Sequence, residues 1–474
     1  MNNQIRIGND YLAKGDLLNA QKIFVQSLKN DPNNGAGYLG LGKVAKAAFQ
    51  YDQAINLLQK ACHLLDKQPE PLLELADAFG IVHATEDAQT VLRYAYENCS
   101  QNKAVLAALI QHYIATAQNT QALPLLWSQI RSADPEFSAY GWLDLIRTQV
   151  TPLNPDEWAL LTSSYASSTP ASQQRMLLDY ALGQAYDKLK NYPKAIEHLQ
   201  MANAYQLTLC PYRTEQMSAF FSTLSDSYQQ VAFAQKKSND NTYAVTPVFI
   251  LGLPRTGSTL LEQMLCQHSD INSCGEQAYL SQYSVPFLEK MTQLSYPELA
   301  SKLSEFDTSK VSEHYLKLIK IGLNEAFIIN KLPANFQNIG LIYQLFPNAK
   351  VIHIPRQIKD VSLSIYKNYF YENEPYFCDI EEFDKYVSFY QQQMQFWEAL
   401  IPNRILTITY ENLAAEPKQV IKNVLNHMGL EWQASCVTAI DGKGTINTLS
   451  AAQVRKPIHH KSIGQWQNYK ALFN

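Results

Sequence analysis

Thr246–Leu265 reads TPVFILGLPRTGSTLLEQML. Pro247 to Leu251 is a short apolar, partly β-branched run, and Gly252-Leu-Pro-Arg-Thr-Gly257 is a tight turn bounded by glycines. From Ser258 the spacing becomes helical, with Leu260, Leu261, Met264 and Leu265 on one face. Strand, glycine turn and helix start form an anion cradle, because backbone N–H groups and the positive end of the helix dipole point into the turn. The expected ligand is a phosphate or a sulfate. A nucleoside-triphosphate loop reads G-x-x-x-x-G-K-[ST]. Here Gly252 and Gly257 are followed by Ser258 and Thr259, so the lysine is missing and the cation of the loop is Arg255. The dinucleotide fingerprint G-x-G-x-x-G is absent. The alternative is a glycine turn that holds no ligand, and features further along the chain weigh against it.

The chain has 474 residues, 46% of them apolar and 17% charged, which implies two or three globular domains and excludes a disordered chain. A net charge of −4 gives no general electrostatic reason to bind nucleic acid. The 7 cysteines stand singly, without a C-x-x-C pair. That pattern implies free thiols in a reducing compartment and no zinc site. The first residues, MNNQIRIGNDYLAKGD, lack the apolar core of a signal peptide. No apolar run reaches the roughly 18 residues that span a membrane. The expectation is a cytoplasmic protein without a membrane span.

Residues 1–135 repeat with a period of 34: Ala20, Ala54, Ala88 and Ala122 share a position, as do Phe24, Leu58, Leu92 and Leu126. Gly8, Gly42, Ala76 and Ile110 form a third series, and Tyr11, Ala45, Phe79 and Tyr113 a fourth. Small residues at fixed places let paired helices pack closely, and the pattern resembles the tetratricopeptide repeat. Pro152, Pro155 and TSSYASSTPAS interrupt the register within 136–172. It returns with Gly183, Tyr186, Ala195, Leu199 and Ala202. The resemblance implies an N-terminal α-solenoid over 1–207 whose concave face binds a partner chain; the alternatives are a rigid spacer or a dimerisation arm. Residues 208–245 read as one helix and a linker, with KKSNDNT (236–242) as the boundary.

Residues 246–474 alternate strands with helices. AFIIN (326–330) is a buried strand ending at Lys331, AKVIHIP (349–355) a second ending at Arg356, and RILTITY (404–410) a third ending at Tyr410. Helices are expected at 277–292, 296–304, 309–325, 336–346, 361–370 and 417–430. Such alternation predicts an α/β domain around a parallel sheet covered on both faces, with the chemistry at the carboxyl ends of the strands. Arg255, Lys331, Arg356 and Tyr410 all fall there.

A loop in the form P-R-[ST]-G-[ST]-T resembles the 5′-phosphosulfate loop of the sulfotransferases, which use 3′-phosphoadenosine 5′-phosphosulfate (PAPS). Over roughly 246–470 the chain is similar to the tyrosylprotein sulfotransferases and the bacterial repeat-bearing sulfotransferases near them. The resemblance implies that Arg255, Thr256, Gly257, Ser258 and Thr259 hold the 5′-phosphosulfate. It implies that Arg356, with Ser364 eight residues later, holds the 3′-phosphate, and that Tyr410 lies beside the adenine. Glu276, 21 residues after Arg255 in a C-G-E setting, is the implied base. Lys331 and Arg255 would supply positive charge to the transferring group, and Ser450 a hydrogen bond. Fixed cations make a metal unnecessary, and His459-His460, without a third ligand at recognisable spacing, read as lining or surface residues.

Two positions depart from the family pattern. Asn368 stands where tyrosylprotein sulfotransferases carry an arginine, with Lys367 beside it, and Gln465 stands where they carry a lysine before Trp466. Lys367 and Lys461 are the basic residues available to substitute. Three functions follow: sulfation of a protein tyrosine presented by the repeats, sulfation of a carbohydrate or small alcohol with the repeats as scaffold, and a non-catalytic nucleotide-binding adaptor. Glu276 and Lys331 together weigh against the third. The stretch Tyr371–Asp384 carries six acids and no base, and would disfavour acidic peptides if it lined the acceptor cleft.

Overall fold

The computed structural model describes residues 2–149, 151–209, 214–233, 245–370, 377–438 and 462–473. They form two compact units that divide between Gln129 and Ile130. The sequence register places the change of character at 207. Packing places it earlier, because the later helices join the sheet-bearing unit.

The first unit is a succession of helix pairs: Asn2–Ala13 with Leu17–Asn30, Gly35–Ala47 with Tyr51–Leu65, Pro69–Ile81 with Thr85–Asn98, and Lys103–Ala115 with Asn119–Ile130. The repeated small residues are the points of closest approach. A Cβ at Gly8 would lie 2.6 Å from the Phe24 ring, and one at Gly42 would lie 2.7 Å from Leu58. Ala20, Ala54, Ala88 and Ala122 are all buried. Each first helix stops the same way. Gly15, Phe49, His83 and Ala117 take positive φ values. The following N–H groups of Asp16, Gln50, Ala84 and Gln118 then reach back to the carbonyls of Tyr11, Ala45, Phe79 and Tyr113. This is the left-handed helix stop that normally selects glycine. Three of the four turns adopt it without glycine, at a cost of roughly 1–2 kcal/mol per turn.

The second unit begins with the helices Pro135–Thr148, Pro155–Ser167, Gln173–Lys188, Tyr192–Leu209 and Glu215–Tyr228. Five strands follow: β1 (Thr246–Leu251), β2 (Ile271–Gly275), β3 (Phe327–Lys331), β4 (Lys350–His353) and β5 (Ile405–Thr407), in the order β2-β3-β1-β4-β5. All pairings are parallel, with Ile250 of β1 opposite Lys331 on one side and Ile352 on the other. Val248, Ile250, Ile329 and Ile352 are fully buried, as a sheet covered on both faces requires. Parallel pairing brings all five carboxyl ends to one edge.

Several elements differ from the sequence reading. Ile271–Gly275 is a strand although its residues, INSCG, are mostly polar or small; it is held as an edge by β3. The strand before Tyr410 stops at Thr407, and Tyr410 opens the helix Tyr410–Ala415, capped by Thr409. The expected helix at 277–292 is a π-helical turn, Leu280–Ser284, followed by Val285–Thr292. Within the acidic stretch, Asp379 caps a 21-residue helix, Ile380–Leu400. Its acids from Asp379 onward therefore serve a helix start, where negative charge is favoured; residues 371–376 lie outside the described residues. The helix Glu215–Tyr228, the one helix expected within 208–245, packs into the core. Phe221 stacks on Phe336 at 6.1 Å, and Tyr228 meets Trp397 edge-on at 5.1 Å. A Cβ on Gly340 would lie 2.3 Å from the Tyr228 ring. Among the described residues no helix is long and apolar enough to cross a membrane.

Candidate active site

Every strand end contributes. Arg255 to Gly257 lie between β1 and the helix Ser258–Leu265, which Ser258 and Thr259 open, Glu276 directly follows β2, Lys331 closes β3, Arg356 follows β4, and Tyr410 follows β5. Ser364 sits on the helix Ile358–Tyr366. Ser450, His459, His460 and Lys461 lie outside the described residues.

The loop is built for close approach. Gly257 has φ 95°, and a Cβ there would meet the Tyr410 ring at 2.4 Å. Both the backbone and the neighbouring ring therefore demand glycine. Arg255 takes φ 66° without being glycine, a strained turn of the kind that concentrates at ligand sites. Thr256 is buried and donates its hydroxyl to the Leu253 carbonyl at 2.9 Å, which closes the turn. The first N–H groups of the helix Ser258–Leu265 have no acceptor within the helix.

Lys331 is fully buried and its ammonium binds the Glu276 carboxylate. A second carboxylate, Glu262, lies 3.7 Å from the same ammonium. Glu262 is buried, and desolvation raises its pKa while Lys331 opposes the shift. It accepts the Ser273 hydroxyl at 2.5 Å. Sequence reasoning missed Glu262, although it lies four residues after Ser258 and so one helical turn behind the loop.

Arg255, Ser364 and Arg356 converge. Arg255 Nε donates to Ser364 Oγ at 3.0 Å, and Arg356 Nη1 donates to the Arg255 carbonyl at 3.0 Å. Arg356 lies over the Tyr410 ring, 4.5 Å from its centroid. Burial, then the charges of Arg356 and Arg147, push the Arg255 guanidinium down to about 10. Arg356 Nε is buried without a hydrogen-bond partner among the described residues. The chain's last described segment closes on this group. Arg356 Nη2 donates to the Ser462 carbonyl at 2.5 Å, and Asp360 accepts the N–H groups of Gly464 at 2.7 Å and Trp466 at 3.1 Å.

Arg147 is the second residue that sequence reasoning missed. Nothing in its local sequence marks it, because it lies on the helix Pro135–Thr148, more than a hundred residues before the loop. Lys367, expected to substitute for an arginine at Asn368, is engaged elsewhere: its ammonium binds Asp187 at 2.5 Å.

Crowded guanidinium groups, an orphaned buried donor and a glycine cradle fit a phosphate-bearing nucleotide. Among the described residues no group of three or more His, Cys, Asp or Glu side chains could hold a metal ion.

Residues 247–434 match the model of the sulfotransferase family, and the chain carries a domain of that family. Among individual proteins, it is 26% identical to an uncharacterized protein of Aquifex aeolicus (strain VF5), over 98% of this chain and 68% of that one. It is 24% identical to the protein-tyrosine sulfotransferase of Drosophila melanogaster, over 46% of each chain, so it spans about half the length of that relative. Among solved structures, the sulfotransferase domain from the curacin biosynthetic pathway matches 48% of this chain and 97% of its own, at 20% identity and a TM-score of 0.30.

Proposed function

We propose that the protein transfers the sulfonyl group of PAPS to an acceptor hydroxyl, and that the acceptor is a protein tyrosine. The observation that carries the reading is the buried Lys331 bound to Glu276 at the ends of adjacent strands, beside the Arg255 loop. In this reading Arg255 and the loop N–H groups hold the 5′-phosphosulfate, Arg356 and Ser364 the 3′-phosphate, and Tyr410 flanks the base. Glu276 takes the acceptor proton as the new O–S bond forms and the S–O bond to the 5′-phosphate breaks. The products are a sulfate ester and adenosine 3′,5′-bisphosphate. Lys331 and Arg255 offset the negative charge that builds on the sulfonyl and leaving oxygens. Glu262 holds Lys331 from behind, so its ammonium stays aimed at the strand ends.

Tyrosine as acceptor is supported by the likeness to protein-tyrosine sulfotransferases. We further propose that the N-terminal helix pairs are of tetratricopeptide type and bind the acceptor protein or its carrier. The test is incubation with sulfur-radiolabelled PAPS and, separately, a tyrosine peptide, a serine peptide, a saccharide and an alkyl alcohol. Label is expected on the tyrosine peptide. Label on the saccharide or alcohol alone would move the acceptor to the second class, and no transfer to any hydroxyl would remove the enzymatic reading.

A further inference from the structure

We propose that Arg147, on a helix upstream of the family-matched residues, is a third phosphate-binding cation of the nucleotide site, placed with Arg255 and Arg356 around Ser364. The proposal rests on the nucleotide reading above and assigns Arg147 to the 3′-phosphate.

The contacts run in one connected group. Arg147 Nη2 donates to the Tyr369 carbonyl at 3.0 Å, five residues beyond Ser364. Asn368, between them, donates its side-chain amide to the Ser364 carbonyl at 2.8 Å. Ser364 Oγ in turn accepts from Arg255, whose carbonyl accepts from Arg356. The Nε atoms of Arg147 and Arg356 are both buried, and neither has a hydrogen-bond partner among the described residues. A guanidinium carries five donors in a planar fork and rarely leaves them unused when buried. Neither Arg147 nor Arg356 has a carboxylate within ion-pair distance among the described residues. Like charges held together out of water repel: burial lowers the pKa of Arg255 most, and the charges of Arg356 and Arg147 lower it further. A phosphate dianion at Ser364 would relieve the repulsion and use the idle donors. The loop anion cannot account for Arg147, because its contacts lie at the far end of the helix Ile358–Tyr366. Lys367, the neighbouring cation, is committed to Asp187.

The experiment is calorimetric titration of the full chain and of Arg147→Gln with adenosine 3′,5′-bisphosphate and with adenosine 5′-phosphate. Losing a charge-assisted contact weakens binding by about ten- to a hundredfold. Arg147→Gln should lose affinity for the bisphosphate by that factor while adenosine 5′-phosphate changes less than about twofold, an allowance well inside that range. Equal loss for both ligands, or no loss for either, would overturn the proposal. If Arg147→Gln does not fold, Arg147→Lys keeps the charge and a donor for Tyr369 but loses the fork. Its bisphosphate affinity should still fall relative to adenosine 5′-phosphate, and an unchanged ratio contradicts the assignment. A wild-type chain that binds neither nucleotide overturns the nucleotide reading itself. Wild-type selectivity for the bisphosphate that is lost in Arg356→Ala but kept in both Arg147 variants overturns the role of Arg147 alone.

Discussion

Gly183 faces Leu199 in the second unit as Gly42 faces Leu58 in the first: a Cβ at either glycine would come within 2.7 Å of the leucine. Ala195 and Ala54, at the same register, are both fully buried. The polar side chains differ. In the first unit they bond among the repeats, with Lys43 on Glu70, Lys46 on Glu74 and Asp77, and Gln118 on Gln89. In the second, some also bond among themselves, as His198 does with Asp179, but three turn to the end of the helix Ile358–Tyr366, which carries Ser364. Asn203 donates to the Tyr366 carbonyl at 3.0 Å, Gln184 to that of Lys367 at 2.8 Å, and Arg147 to that of Tyr369 at 3.0 Å. A helix leaves its last carbonyls without intrahelical partners, and here three upstream helices satisfy those at and just beyond its end. The comparison teaches that the small–large code fixes only how a pair packs. The polar positions decide whether a pair serves its neighbours or the nucleotide site.

The strongest way to break the comparison is truncation. A fragment of residues 240–474 loses the three capping helices and the core residues Phe221 and Tyr228. It should show no cooperative melt and no nucleotide affinity, whereas a fragment of residues 130–474 should keep both. Equal behaviour of the two fragments in calorimetry would show that the upstream helices are dispensable to the site.

Acid is a milder probe of the second region. His353, at the end of β4, is buried and pairs with the Tyr390 hydroxyl through Nε2 and with Thr407 Oγ1 through Nδ1. Burial lowers its pKa from the ordinary 6.5 to about 4. Between those values the unfolded chain takes up a proton and the folded chain does not. Stability is therefore complete above about pH 6.5 and falls toward pH 4, by on the order of 3 kcal/mol. Chemical denaturation across that range should show the loss, and His353→Gln should flatten it; an unflattened curve would assign the acid limb to other groups.

The smallest effects compare one polar position from each region. Asn203→Ala leaves the buried Tyr366 carbonyl without its partner and should cost about 1–3 kcal/mol. Lys46→Ala removes ion pairs on a partly exposed face and should cost less than about 1 kcal/mol. Nucleotide affinity should fall in the first variant and stay level in the second. The reverse order in denaturant melts would mean that the caps contribute less than the surface pairs.

Much of this was legible in the sequence, and for identifiable reasons. Strand ends announce themselves when an apolar run stops at a charge, as β3 does at Lys331. Glycines with positive φ announce a loop, as Gly252 and Gly257 do. The 34-residue register was visible because packing repeats the same small–large pair. Less legible were β2, whose polar residues imitate a loop, and the helix Ile380–Leu400, whose acidic start imitates a solvated stretch. Glu262 was hidden because a buried carboxylate on an amphipathic helix has no local signature. Arg147 was hidden because its partner Tyr369 lies 222 residues away. The packing boundary at 129 was equally invisible, since the register of Gly183 and Leu199 continues past it.

The most direct test of the central claim is single-turnover transfer from labelled PAPS to a tyrosine peptide by the wild type and by Glu276→Gln, with affinity for adenosine 3′,5′-bisphosphate measured in parallel. The substitution keeps the side chain's shape and removes its basicity. Transfer should fall by about a hundredfold or more, within the general-base range, while nucleotide affinity holds. Undiminished transfer by Glu276→Gln would contradict the account.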